Sequence, residues 1–278
     1  MSLFVIARLT FREASRRWIL WVALAFGLLF LAVFAIGFNE FYKGVTRSAD
    51  SMLLLQRSEM YNSMLMVGLY AVNFLSVMMA VLTSVDTLSG EIASGTVQTL
   101  VTKPLRRWEI VLGKWAGFAV MLILYLALMA GGVMLIVKGT AGYTPPNALR
   151  GLGLMIFNTL LLLSISFTGG ASLSTLANGV LVFGLYGVAF IGGWIEQFGA
   201  FMNNPAAVNI GIVCSLIMPG ESLWRRAAYE MQSPLVAALG VSPFTSSSVP
   251  SPIMLAYAGL YAAAALALAL RQFQKRDL

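Results

Sequence analysis

Long runs without a charged residue restrict this chain more than any other feature. A backbone that enters hydrocarbon must satisfy its own hydrogen bonds; an α-helix does so within one segment, and about 20 apolar residues in that form cross the hydrocarbon. A charge at the helix centre costs roughly 2.5 to 3.5 kcal/mol, so charge-free runs locate the spans. Four are plain: Trp18 to Phe38, Tyr61 to Val85, Trp115 to Val137 and Ile253 to Leu270. A fifth run, Gly151 to Ile195, is too long for one helix and is interrupted by Gly169, Gly170 and the polar string Ser172 to Gly179. It reads as two spans joined by a tight turn. The expected fold is therefore all-α, a single polytopic membrane domain with six transmembrane helices at 18–38, 61–85, 115–137, 151–171, 179–196 and 253–270. Composition agrees: 59% of the 278 residues are hydrophobic and 10% charged, against about a quarter charged in a soluble domain.

Six spans put both termini on one side, and the basic residues say which. Arg8, Arg12, Arg16, Arg17, Lys103, Arg106, Arg107, Lys114, Arg271, Lys275 and Arg276 share one face, leaving seven of the 18 basic residues spread thinly over the opposite loops. The termini and the 86–114 segment are expected to be cytoplasmic. The net charge of +7 follows from this bias, which points to membrane lipids and gives no support to nucleic-acid binding. Ala-x-Ala spacing is missing where a signal peptidase would need it, so the first span is expected to be retained. Within residues 1–17, Phe4, Phe11 and Trp18 recur every seventh position with Ala7 and Ala14 between them, and Arg8, Arg12 and Arg16 lie on a neighbouring stripe. That pattern predicts an amphipathic interfacial helix on the inner leaflet, either a simple anchor or a surface that also packs against a cytoplasmic partner.

Catalytic chemistry finds little to work with. Histidine is absent and cysteine occurs once, at Cys214, which removes the usual zinc, haem and Ser-His-Asp or Cys-His sites. No G-x-x-x-x-G-K-[ST] sequence is present, so no P-loop nucleotide site is expected. The spans carry acidic residues only at their ends, Asp86 and Glu196, which read as wetted boundary groups. Of 15 methionines, Met60, Met64, Met66, Met78 and Met79 cluster along the second span. Thioethers suit Cu(I), yet without His or a Cys pair they read as gap-filling core residues. No catalytic, cofactor-binding or metal-ligating residue is assigned, and the chain is not expected to be an enzyme. Asn73, Asn158 and the Gly169-Gly170 pair read as helix-packing residues; Tyr70, Asn73, Ser76 and Asn158 are also the polar candidates for lining a cavity between two copies.

One long polar segment lies between two spans, Gly90 to Lys114. Ser89, Gly90 and Glu91 end the second helix and Gly95-Thr96 can break and restart it. Val97, Leu100 and Val101 then offer a short apolar face at helical spacing, able to seat in a groove on another protein. Pro104 fixes the next turn, and Arg106, Arg107 and Glu109 decorate a new helix before Lys114 reaches the interface. The alternative is a solvated loop whose charges only set topology. The arrangement Glu91-x-x-x-Gly95-Thr96, Leu100, Pro104-x-Arg106 and Lys114 between the second and third spans resembles the permeases of type 2 ABC transporters. The resemblance implies that Glu91 to Val101 is a coupling helix against an ATPase, with Gly95, Thr96, Val97, Leu100, Pro104, Arg106, Arg107 and Lys114 in the coupling element. It further implies two permease copies, two separate ATPase chains that hold the ATP and Mg, export, and a multi-pass location in a prokaryotic inner membrane.

Residues 197–252 form the long outer segment. Ile210 to Met218 is too short to span, so a re-entrant or interfacial stretch ended by Pro219-Gly220 is expected, followed by an amphipathic helix with a Glu221 to Arg225 pair and Trp224. Ser215 to Tyr229 is similar to the same region of permeases in the branch that includes the nitrous-oxide-reductase copper-maturation system. Such an element can close the exit of a pathway or dock an extracytoplasmic accessory protein. Three functions follow: an ATP-driven permease working by alternating access, a permease that drives an extracytoplasmic partner without moving substrate through its dimer, and a membrane scaffold without an ATPase.

Overall fold

Alternation of long apolar stretches with short polar breaks yields nine helices among the described residues, which in this computed structural model are 2–47, 54–93, 106–232 and 249–275. They are α1 (Ser2–Arg16), α2 (Trp18–Arg47), α3 (Leu54–Ala93), α4 (Arg107–Ala141), α5 (Ala148–Ser172), α6 (Thr175–Phe201), α7 (Pro205–Ile217), α8 (Gly220–Met231) and α9 (Pro252–Lys275). Six of them, α2 to α6 and α9, are long and apolar enough to cross a membrane. The helices outrun the charge-free windows because their ends carry polar turns that a hydropathy window excludes. The polar string after Gly170 is one case. Only Leu173 and Ser174 separate α5 from α6, and Ser174 caps α6 by accepting from the Ala177 amide, so Thr175 to Asn178 are helical rather than loop.

Turn chemistry sets the other joints. Gly142 ends α4 in the left-handed conformation at φ 67°, its amide donating to the Lys138 carbonyl at 2.9 Å. Asn204 starts α7 by accepting from the Ala206 and Ala207 amides, with Pro205 at the first helical position where no amide is needed.

The helices α7 and α8 meet at an angle of 108°, and the path of the chain shows that they turn back rather than cross. Arg107 at the start of α4 donates to the Gln274 carbonyl at the end of α9, and α1 packs along the first turns of α4. The described residues nearest both termini and the start of α4 thus share one end of the bundle, called here the terminal end. At the opposite, far end, Tyr257 in the first turns of α9 donates to the Leu216 carbonyl of α7 and Arg226 of α8 donates to the Pro250 carbonyl. The hairpin therefore enters and leaves at the far end.

Two buried clusters fill the bundle, one centred on α2, α3 and α4 and one on α3, α5, α6 and α9. By contrast α2 and α9 turn Trp21, Phe26, Val33, Ile36, Ile253 and Leu260 outward, as lipid-facing helices do. Helix α1 is amphipathic and packs one face against the bundle. Its Ile6, Ala7 and Thr10 face lies directly on α4, where a Cβ at Gly113 would come 2.7 Å from Ile6 and one at Gly117 would come 2.7 Å from the Ala7 carbonyl oxygen. Phe4, Arg8 and Arg12 stay exposed on the other side, and Phe11 is half-buried. The Gly113-x-x-x-Gly117 notch is what lets the two backbones meet. Gly117→Leu is expected to lift α1 from α4 at a cost of about 1 to 3 kcal/mol, read as alkylation of a cysteine placed by Thr10→Cys in a Cys214→Ser background, a position closed to reagent while Gly117 is present.

Candidate functional site

At the terminal end, α3 leads into the polar segment, and a set of hydrogen bonds holds its last turns to α5 and α6. Asn178 of α6, fully buried, donates through Nδ2 to the Val85 carbonyl of α3 at 3.1 Å and to the Ser166 carbonyl of α5 at 2.9 Å. Ser84 donates to Ser166 Oγ at 2.7 Å. Ser89 and Thr175 hydroxyls lie 2.8 Å apart, and Thr175 also donates to Asp86 at 3.1 Å. Glycine makes the approach feasible, because a Cβ at Gly169 would sit 2.1 Å from Asn178 Oδ1. Nearby, Trp115 of α4 donates to Ser164 of α5 at 3.1 Å and Thr168 of α5 donates to the Ala265 carbonyl of α9 at 2.6 Å. Five helices are thereby tied together just behind the polar segment. Beside the clasp, Leu82, Val85, Leu176, Val180 and Phe183 line an open apolar groove of about 730 Å³ between α3 and α6.

The coupling residues expected from the sequence divide between described and undescribed parts. Glu91 belongs to the last turn of α3, while Gly95, Thr96, Val97, Leu100 and Pro104 lie outside the described residues. Arg106 precedes α4, its amide donating to the Glu109 carboxylate at 3.2 Å. Arg107 reaches the end of α9. Lys114 corrects the sequence reading: it does not extend to the interface but is buried, 5% exposed, among the first turns of α4. The packing of α1 and α4 closes that region to solvent, a tertiary effect that no stripe of charges along one helix reveals.

At the far end the hairpin carries the expected outer element. Pro219 sits in the break before α8, with its carbonyl accepting from the Leu223 amide. Trp224 is buried against the Tyr70 ring at 5.2 Å, and the Tyr70 hydroxyl in turn accepts from Trp194 of α6 at 3.0 Å. Arg225 does not pair with Glu221. It forms a two-pronged ion pair with Glu196 of α6, at 2.7 and 2.8 Å, and donates to Ser215 at 3.3 Å and Ser222 at 3.4 Å. Glu196, read from the sequence as a wetted boundary carboxylate, is 3% exposed. The hairpin covers the α6 end that would otherwise face water. Glycines on α6 and α7 allow it: a Cβ at Gly192 would lie 2.2 Å from Cys214, and one at Gly211 the same distance from the Glu196 Cβ. The four polar residues considered for a cavity between copies, Tyr70, Asn73, Ser76 and Asn158, instead point into the protomer, the last three fully buried.

A bundle of six apolar helices with a polar segment after the second and a re-entrant pair before the last defines a multi-pass membrane protein. The chain belongs to the ABC-2 family transporter proteins, whose family pattern matches residues 4–278. It is thus a permease, the transmembrane subunit of an ABC transporter. No curated protein matches the chain.

Removing one partner of a desolvated ion pair strands the other, at about 3 to 5 kcal/mol, whereas replacing both by apolar groups is often neutral. Glu196→Ala is therefore expected to lower the unfolding temperature in detergent sharply, and Glu196→Ala with Arg225→Met to recover most of the loss. Equal loss in the single and double variants would show that the pair is not the anchor.

Proposed function

We propose that this permease works as a dimer driven from the terminal end by two separate ATPase chains, which hold the ATP and Mg, and that it moves substrate by alternating access in the direction of export. The observation that carries the reading is the clasp behind the polar segment. The last turns of α3 are bonded through Val85, Asp86 and Ser89 to Asn178 and Thr175 of α6, and Asn178 also holds the Ser166 carbonyl of α5, so a displacement of the end of α3 passes to α5 and α6 as a body. Family membership supplies the motor, and the terminal end is the cytoplasmic one by its excess of arginine and lysine. Residues 91–101 are the ATPase contact in this reading, with Arg106, Arg107 and Lys114 bracing the return into α4. The host membrane is a prokaryotic inner membrane.

A second reading is favoured by the far-end hairpin. Its α8 is held to α6 by a buried ion pair, Arg226 of α8 reaches the Pro250 carbonyl just before α9, and Tyr257 of α9 donates to Leu216 of α7, so motion of α6 would be delivered to an extracytoplasmic surface. A permease that drives an accessory protein there would use that delivery without passing substrate between its copies.

The contact face must bind the open and closed motor differently, or nothing is transmitted. Glu91→Ala is expected to lower ATP turnover of the purified complex severalfold while membrane insertion stays normal, measured as phosphate release beside extractable protein. Asn178→Leu, which removes the clasp donor, is expected to leave ATP hydrolysis in place and to cut substrate movement in vesicles. Unchanged turnover in the first variant, or purification without any nucleotide-binding chain, rejects the motor assignment and leaves a scaffold. Full activity with no vesicle transport and a co-purifying extracytoplasmic protein selects the second reading.

A further inference from the structure

Where α3, α5 and α6 meet the start of α8, five polar atoms are buried with no protein partner: Asn73 Nδ2, Ser76 Oγ, Asn158 Oδ1, the Tyr186 hydroxyl and Glu221 Oε2. Asn73, Ser76 and Asn158 are at most 1% exposed and Glu221 is 5% exposed. Contacts tie Glu221 to α6 and bring the amides of α5 and α3 to the turn beside it. Glu221 Cγ lies 2.3 Å from where a Cβ would stand on Gly193 of α6, so the side chain occupies a notch that only glycine leaves open. Asn158 Oδ1 lies 2.9 Å from the corresponding position on Gly220, the residue before Glu221. Asn158 Nδ2 donates to Asn73 Oδ1 at 3.1 Å, and Ser76 follows Asn73 by about one turn of α3. A buried polar atom left without a partner carries its full desolvation penalty.

The charged and titratable groups around Glu221 do not neutralise it. On α8, Arg225 is committed to Glu196 and the two serines. On α6, Glu196 is spent in that pair, and Tyr186 is the uncharged side chain that approaches Glu221. On α3, Tyr70 faces it with a hydroxyl already accepting from Trp194. Helix α5 presents an amide, Asn158. A carboxylate so enclosed loses its hydration without gaining a cation, and the neutral acid is then the cheaper form. Glu221 lies outside the six spans, and burial pushes its carboxyl up to about 7, with Arg225 holding it back.

We propose that Glu221 is a proton-binding site, holding a proton while α8 is seated against α3, α5 and α6 and surrendering it to far-side water when the hairpin lifts. On release the O–H bond breaks heterolytically, the electron pair stays on the carboxylate and water takes the proton. The seated hairpin binds the proton more tightly than the lifted one, whose wetted carboxyl returns to about 4.3. The proton's contribution to the seated state is therefore complete below that ordinary value and is lost as pH rises through about 7. The site stands on the packing alone; only the identification of the far side with the extracytoplasmic compartment rests on the proposed function.

The full chain in lipid nanodiscs tests it by two readouts. Infrared difference spectra between about pH 5 and about pH 8, a span bracketing the raised value, are expected to show loss of a protonated-carboxyl band that Glu221→Gln lacks. Alkylation of Cys214, the half-buried thiol of α7 packed on Gly192, reports the hairpin itself. The rate in the unsubstituted chain divided by that in Glu221→Gln cancels the ionisation of the thiol and is expected to rise severalfold across the same range. A band that persists in Glu221→Gln, no titrating band in the unsubstituted chain, or a flat ratio overturns the proposal. Should the glutamine variant not fold, Glu221→Asp keeps the acid on a shorter stem, and its carboxyl band must move; an unmoved band is equally fatal. Loss of ATPase coupling with an intact titration would sink the transporter reading and leave this site standing.

Discussion

Helices in hydrocarbon gain nothing from burying one apolar surface against another that lipid would cover equally well, so their association depends on close backbone approach and on hydrogen bonds made between them. This chain shows both devices at the same places. Gly113 and Gly117 admit α1 to α4, Gly169 admits Asn178, and Gly193 admits Glu221. At these positions the notch left by a glycine is filled by a neighbouring helix, and at Gly169 and Gly193 by a polar side chain. The outward faces of α2 and α9 carry large apolar side chains instead, and many polar residues of the spans are drawn inward.

That constraint gives the bundle two polar junctions separated by an apolar middle. At the terminal end, Asp86 and Ser89 of α3 meet Thr175 of α6, Asn178 of α6 donates to the Val85 carbonyl of α3, and Ser84 of α3 meets Ser166 of α5. Towards the far end, Tyr70 of α3 meets Trp194 of α6, and Glu196 of α6 meets Arg225 of the hairpin. The same two helices serve both junctions. A pair of helices pinned at two levels moves as a rigid strut more readily than it shears, which is the mechanical property a permease worked from one end requires. The hairpin adds a bistable element at the other end, since its seating depends on a buried ion pair and on a buried acid.

Much of the fold was legible in residue order. Charge-free runs located six spans, because the cost of a charge in hydrocarbon is large and local; the break at Pro219-Gly220 and the short Ile210 to Met218 stretch marked a re-entrant turn; Glu91, Gly95-Thr96 and Pro104-x-Arg106 marked the family. The partners of the polar residues were not legible. Glu221 and Arg225 stand one turn apart on one helix, and helical spacing alone joins them, yet the guanidinium turns to Glu196, 29 residues away. Lys114 and Glu196 sit at the margins of apolar runs and look wetted; neighbouring helices bury both. The Gly169-Gly170 pair signals a joint from its composition, but its purpose is to receive an asparagine from the next helix.

By itself the sequence determined the number and order of the membrane helices, the polar segment between the second and third, and the family, since each rests on short-range features: hydropathy over about 20 residues, or a motif within one loop. Tertiary structure alone decided which polar groups pair, which charges are dry and where α1 lies. Those outcomes depend on the rotation of each helix about its axis and on which helices become neighbours, and a one-dimensional pattern of apolar residues, nearly uniform around a membrane helix, carries little information about either.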